Sequence, residues 1–114
     1  MPRNDVNNLE DEAVNLTKQL GRQPDLRTAA DILTWQVGDL QKAVTYAEWH
    51  PNLKPAYGAE AKLALGSIVL QVAVCAKLLD TSLEEIIQLG VDSIKDRIED
   101  YKNHKGRFAD YDPK

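Results

Sequence analysis

From Tyr57 to Leu79 the chain reads Y-G-A-E-A-K-L-A-L-G-S-I-V-L-Q-V-A-V-C-A-K-L-L, and from Leu63 onward only Ser67, Gln71 and Lys77 are clearly polar. A run of this length with no Pro or turn cluster predicts a helix rather than a strand. A helix apolar on every side has to be covered on every side, by neighbouring helices or by a second subunit. The polar residues divide it into apolar runs shorter than a bilayer crossing, which argues against a membrane span. The stretch therefore predicts an all-α protein in which this is the central helix and the other segments wrap it.

At 114 residues the chain has room for one modest core, so a single helical-bundle domain over residues 1–102 is expected, with a tail over 103–114. With 28% of residues charged, the balance is that of a soluble globular protein and not of a disordered one. A formal net charge of −4 argues against general nucleic-acid binding, which needs Lys and Arg to neutralise phosphates. Lys95, Arg97, Lys102, Lys105 and Arg107 gather near the C-terminus, but Asp96, Glu99 and Asp100 interleave with them, the pattern of a solvated face. The one cysteine, Cys75, permits no internal disulfide and reads as a buried thiol in a reducing compartment. No apolar segment follows M-P-R-N, so no signal peptide and a cytoplasmic location are expected.

Three further helices are predicted. The first spans Asn4 to Leu20, capped by Asn4 or Asp5 and stopped by Gly21, with Val6, Leu9, Ala13, Leu16 and Leu20 on one face. The second spans Leu26 to Trp49, with Asp25 as N-cap or a later start at Thr28 and Asp31. Its apolar positions Leu26, Ala30, Leu33, Val37, Leu40, Val44 and Ala47 alternate spacings of four and three, the seam of a helix packed along its length. That seam is expected in the core, while a second, mixed face carries Ile32, Trp35, Gln36, Asp39 and Ala43. His50-Pro51-Asn52-Leu53-Lys54-Pro55 is expected to be loop, since each proline disfavours a helical predecessor. His50 reads as a solvent-exposed loop residue. Thr81-Ser82-Leu83-Glu84-Glu85 contains a capping box that opens the last helix. That helix runs to about Tyr101 with Leu83, Ile87, Val91, Ile94, Ile98 and Tyr101 inward, and Gly90 marks a close helix contact. Phe108 and Tyr111 in the tail are candidates for docking on a partner.

Short loops between four helices predict an antiparallel bundle. Three amphipathic neighbours cannot easily cover the central helix, so a homodimer or a dimer of dimers (a homotetramer) is expected, with parts of the second and central helices in the interface.

No Gly-rich phosphate loop, zinc-spaced Cys or His cluster, or nucleophile–base set occurs. The order W-Q-V-G-D-L-Q-K-A (Trp35–Ala43), L-A-L-G-S-I-V-L-Q-V-A (Leu63–Ala73) and D-T-S-L-E-E-I-I remains. It resembles the MazG-like, all-α nucleoside triphosphate pyrophosphohydrolases, over roughly Leu26 to Tyr101. In that family a helix with E-E-x-G-E-L is followed by one with E-x-G-D, and a D-L-E-E-type start opens the last. The likeness rests on the apolar framework and on Gly38 and Gly66.

The resemblance implies a Mg²⁺ site, since a hard cation takes oxygen ligands and acids three or four apart project to one side of a helix. Two such helices would hold metal that helps water attack a triphosphate and release pyrophosphate. By position the family's acids fall on Trp35, Gln36, Asp39, Ala64 and Ser67, so Asp39 alone is a carboxylate. Its phosphate-handling set falls on Gly90, Ile94 and Arg97, of which Arg97 alone matches. Trp35 at a ligand position suggests a pocket that has been filled.

The leading reading is a non-catalytic MazG-like scaffold with a remnant pocket of Gln36, Asp39, Ser67 and Gln71. It would bind a nucleotide or other small ligand without metal, or serve protein interaction, and no cofactor is expected. The alternative is an active pyrophosphohydrolase with relocated acids. Asp39 and Glu60, joined by Asp92 or Asp96, would then hold Mg²⁺, and Arg97 or Lys62 the phosphate. A third reading, likeness by coincidence of helix packing, predicts that the second and central helices do not pair around Gly38 and Gly66.

Overall fold

The computed structural model describes residues 9–103, and among them every regular element is helical. The elements are α1 (Leu9–Gln19), α2 (Leu26–Trp49), α3 (Lys54–Leu78) and α4 (Leu83–Asn103), with a 3₁₀ turn at Pro51–Leu53. The expected helix start at Asn4, Asp5 and Val6, and the tail with His104, Phe108 and Tyr111, lie outside the described residues. The chain divides into one unit ending at Leu83 and a second beginning at Glu84.

Local signals set the helix ends. Gly21 takes φ +80°, and Gly21 and Arg22 return their N–H groups to Lys18 and Thr17, which closes α1 with a left-handed C-terminal residue. Asp25 caps α2, accepting from the Thr28 N–H at 2.8 Å and from its hydroxyl at 3.0 Å. The hexapeptide expected to be loop is shorter than that. Lys54 and Pro55 already belong to α3, because a proline in the first turn lacks only an N–H that would have no helical acceptor. Tyr46, His50 and Tyr57 meet across this tight reversal, and His50, though exposed, stacks on Tyr57 at a centroid distance of 6.4 Å. At the other end of α3, Asp80 takes φ +61° while its N–H and that of Thr81 return to Lys77 and Ala76.

In the first unit α3 packs most extensively on α2 and next on α1. The core is built from small residues, with Ala13, Ala29, Ala73, Val74 and Leu83 in one cluster edged by Leu9, Val14, Val72, Cys75 and Leu78. Alanine contacts let helix axes approach closely, at the cost of less apolar area than leucines would bury. Burial pushes the Cys75 thiol above its ordinary pKa.

Two faces differ from expectation. On α1 the inward residues are Leu9, Glu10, Ala13, Val14 and Thr17, whereas Leu16 and Leu20 are exposed. Glu10 turns inward because its carboxylate accepts the Leu83 N–H at 2.7 Å, capping the start of α4. On α2 the mixed face is the buried one, through Ala29, Ile32 and Ala43. The regular seam lies mostly outside the core, with Leu26 41%, Val37 50% and Val44 47% exposed, and only Leu33, Leu40 and Ala47 half-buried at its inner edge. The small side chains at 29 and 43 explain the choice, since they admit α3 where the bulkier seam would hold it off.

The glycines also differ from expectation. A Cβ on Gly38, Gly66 or Gly90 would meet nothing within 4 Å, so none marks a close helix contact. Helices α2 and α3 do pair, but not through Gly38 and Gly66, as likeness by coincidence of helix packing predicts.

In the unit from Glu84, Ile87, Val91, Ile94, Ile98 and Tyr101 are exposed, contrary to the inward face expected, because a lone helix has nothing of its own to bury them against. By length and composition Pro51–Leu78 is apolar enough to cross a membrane, a test that the core helix of a soluble protein also passes.

Candidate functional site

Two neighbouring cavities open beside the α2–α3 contact, the smaller one also bounded by α1, and they share Arg22, Gln36 and Ser67. The larger, about 510 Å³, is lined on the α2 side by Ile32, Trp35, Gln36, Asp39, Lys42 and Ala43. Its α3 wall is Glu60, Leu63, Ala64 and Ser67. The smaller, about 160 Å³, runs under α1 past Thr17 and Leu20 to Gln71.

The helical repeat explains the wall. Residues 32, 35, 36, 39 and 43 recur at three and four, as do 60, 63, 64 and 67, so each set forms one stripe on its helix. The α2 stripe is the edge of the face that packs on α3, which leaves its polar members beside the contact.

Of the residues singled out from sequence, Gln36, Asp39, Ser67 and Glu60 line the larger cavity. Gln71 is buried and reaches the smaller one with Gln36 and Ser67. Asp92, Asp96 and Arg97 are exposed along α4 in the other unit, where the Asp92 carboxylate accepts from Gln88 Nε2 at 2.9 Å. Trp35 does not fill the pocket as its position suggested. It forms part of the wall and stays 62% exposed, because it sits at the rim of the α2–α3 contact.

Two cations were not legible as site residues. Arg22 follows the left-handed Gly21 and reaches both cavities. Lys42 lies one turn beyond Asp39, with its Nζ 5.8 Å from the Tyr46 ring. The i, i+3 spacing of Asp39 and Lys42 was the available signal.

The Gln36 side-chain oxygen is buried without a hydrogen-bond partner among the described residues. A buried acceptor without a donor costs about 1–3 kcal/mol. It sits in a wall common to both cavities, so a ligand N–H or O–H entering either could satisfy it.

The two carboxylates in the larger cavity, Asp39 and Glu60, are balanced by Arg22 and Lys42. Among the described residues no three His, Cys, Asp or Glu side chains come together as a metal-binding group. Chemically, the cavity offers two cations, two carboxylates, an indole face and an unmet acceptor. No family model, no curated protein and no solved structure matches the chain.

Proposed function

We propose that this chain is a ligand-binding helical scaffold, of the MazG-like type that its motif order resembles, and that it binds without metal. The ligand class is a small molecule with an anionic group and a flat polar ring, which describes a nucleotide. The reading rests on the unpartnered Gln36 oxygen in a cavity that also holds Arg22, Lys42 and Trp35. Arg22 and Lys42 would take the anionic group, the exposed Trp35 indole would stack on the ring, and Gln36 would accept from a ring amine or hydroxyl. Gly38 and Gly66 lend the family resemblance no support, since they face open space.

Thermal shift against a nucleotide panel without metal tests this. A ligand at one hundred times its Kd stabilises the fold by about 2.7 kcal/mol, a shift of several degrees. At least one nucleotide should give that shift, and Gln36→Leu should abolish it. A flat panel would refute the proposal.

The enzyme alternative draws on one observation, that Asp39 and Glu60 share the cavity. It requires Mg²⁺-dependent pyrophosphate release that Asp39→Asn abolishes.

A further inference from the structure

The outward seam of α2 is the least explained surface of the first unit. Seven positions, Leu26, Ala30, Leu33, Val37, Leu40, Val44 and Ala47, keep heptad spacing over the helix, yet the chain's own α3 packs on the neighbouring stripe. Leu26, Val37 and Val44 are left about half exposed. Helix α3 is antiparallel to α2 across the short 50–53 connection. Counting about 100° per residue from the buried faces puts the exposed Leu65 and Val69 of α3 on the same side as the seam. The cavity opens on the opposite side.

Heptad spacing fits one kind of occupant, another helix carrying the same repeat. The flanking residues choose its identity and direction. With Ala30, Val37 and Val44 as one set of core positions and Leu26, Leu33, Leu40 and Ala47 as the other, the edge away from α3 reads Arg27, Thr34, Gln41, Glu48. The edge toward α3 reads Ala29, Gln36, Ala43 and carries no charge. Parallel pairing sets unlike edges against each other and would leave Arg27 and Glu48 without a charged counterpart. Antiparallel pairing sets like edges together. Arg27 then meets the partner's Glu48, Thr34 meets the partner's Gln41, and both pairs recur by symmetry. In this register Leu33 packs on the partner's Val44, and Val37 on the partner's Leu40.

We propose that α2 pairs antiparallel with α2 of a second copy of this chain, sealing the seam in a two-fold dimer bounded by two Arg27–Glu48 bridges. The within-helix pair of Arg27 and Asp31, 3.7 Å apart with side chains 86% and 68% exposed, is too solvated to hold Arg27 back. The interface is isologous, as two-fold symmetry demands. It leaves both cavities open and does not depend on the ligand proposal.

Sedimentation equilibrium of the full chain tests this, with circular dichroism to show that each variant is helical. The wild type should have twice the mass of the chain, or four times if two dimers associate. Val37→Asp, at a half-exposed position, should remain helical and be monomeric. Arg27→Glu and Glu48→Arg should each weaken the dimer roughly tenfold, by turning two attractive contacts repulsive, and the double reversal should restore it. A monomeric wild type, or a dimer indifferent to Val37→Asp, would overturn the proposal. Single reversals whose effects simply add would overturn the antiparallel register. Partitioning of the chain into neutral phospholipid vesicles, lost in Val37→Asp, would overturn it in favour of a membrane.

Discussion

The two long faces of α2 differ in a way that runs against their appearance. The inward face keeps helical spacing through Ala29, Ile32, Gln36 and Ala43, but its side chains are mostly small and one of them is polar. The outward face is an unbroken apolar heptad repeat, with Leu26, Ala30, Val37 and Val44 exposed and Leu33, Leu40 and Ala47 half-buried. Regular apolar spacing shows that a face needs covering, without saying which chain covers it. Residue size decides where the chain's own neighbour sits, because alanines let α3 approach and leave room beside them for a cavity. The same contact thus yields a polar pocket on one side of the α2–α3 pair and an apolar seam on the other.

The contrast is easiest to break by filling its tight side. Ala43→Leu, at 3% exposure, should destabilise the fold by about 1–3 kcal/mol through overpacking, whereas Val44→Ala next to it should cost about 0.5 kcal/mol or less. Urea unfolding below the dimer's dissociation concentration measures both, and equal costs would mean that the two faces are not distinct. Glu10→Ala should cost about 1–2 kcal/mol by leaving the buried Leu83 N–H without its acceptor, and protease sensitivity should rise around residues 80–84. Gln36→Leu should go the other way, stabilising the free protein by about 1 kcal/mol in urea as the unmet acceptor is removed.

The smallest effect lies at the start of α2. Hydrogen bonds from the Thr28 N–H and hydroxyl hold the Asp25 carboxyl below the ordinary range. A lowered folded-state pKa gives stability that is complete above the unfolded value and is lost as pH falls through the folded one. The wild-type melting temperature should therefore fall slightly more than that of Asp25→Asn between pH 5 and pH 2.

Much of the fold was legible because its signals are local. Gly21 and Asp25 act on neighbours a few residues away, and the end of α1 and the start of α2 follow from them directly. The orientation of α2 was not legible in the same way, since it depends on which stripe has the smaller side chains opposite α3. Glu10 was missed because its partner is the backbone of Leu83, distant in sequence. Within the site, the helical spacing of Gln36, Asp39, Glu60 and Ser67 placed them on facing stripes. Arg22 was invisible because a turn, and not a helix, directs it.

Distance measurement between spin labels tests the central claim, that the outward seam of α2 pairs antiparallel with a second copy. Single labels would go on Gly38→Cys, where a side chain meets open space, and on the exposed Trp49→Cys, both with Cys75→Ala. In the proposed register residue 38 lies almost opposite itself, whereas the two copies of residue 49 are offset by about 21 residues, or roughly 32 Å along the helix. The account predicts a short distance at 38 and one longer by some tens of ångströms at 49. Equal distances at the two sites, or no intermolecular distance at either, would contradict it.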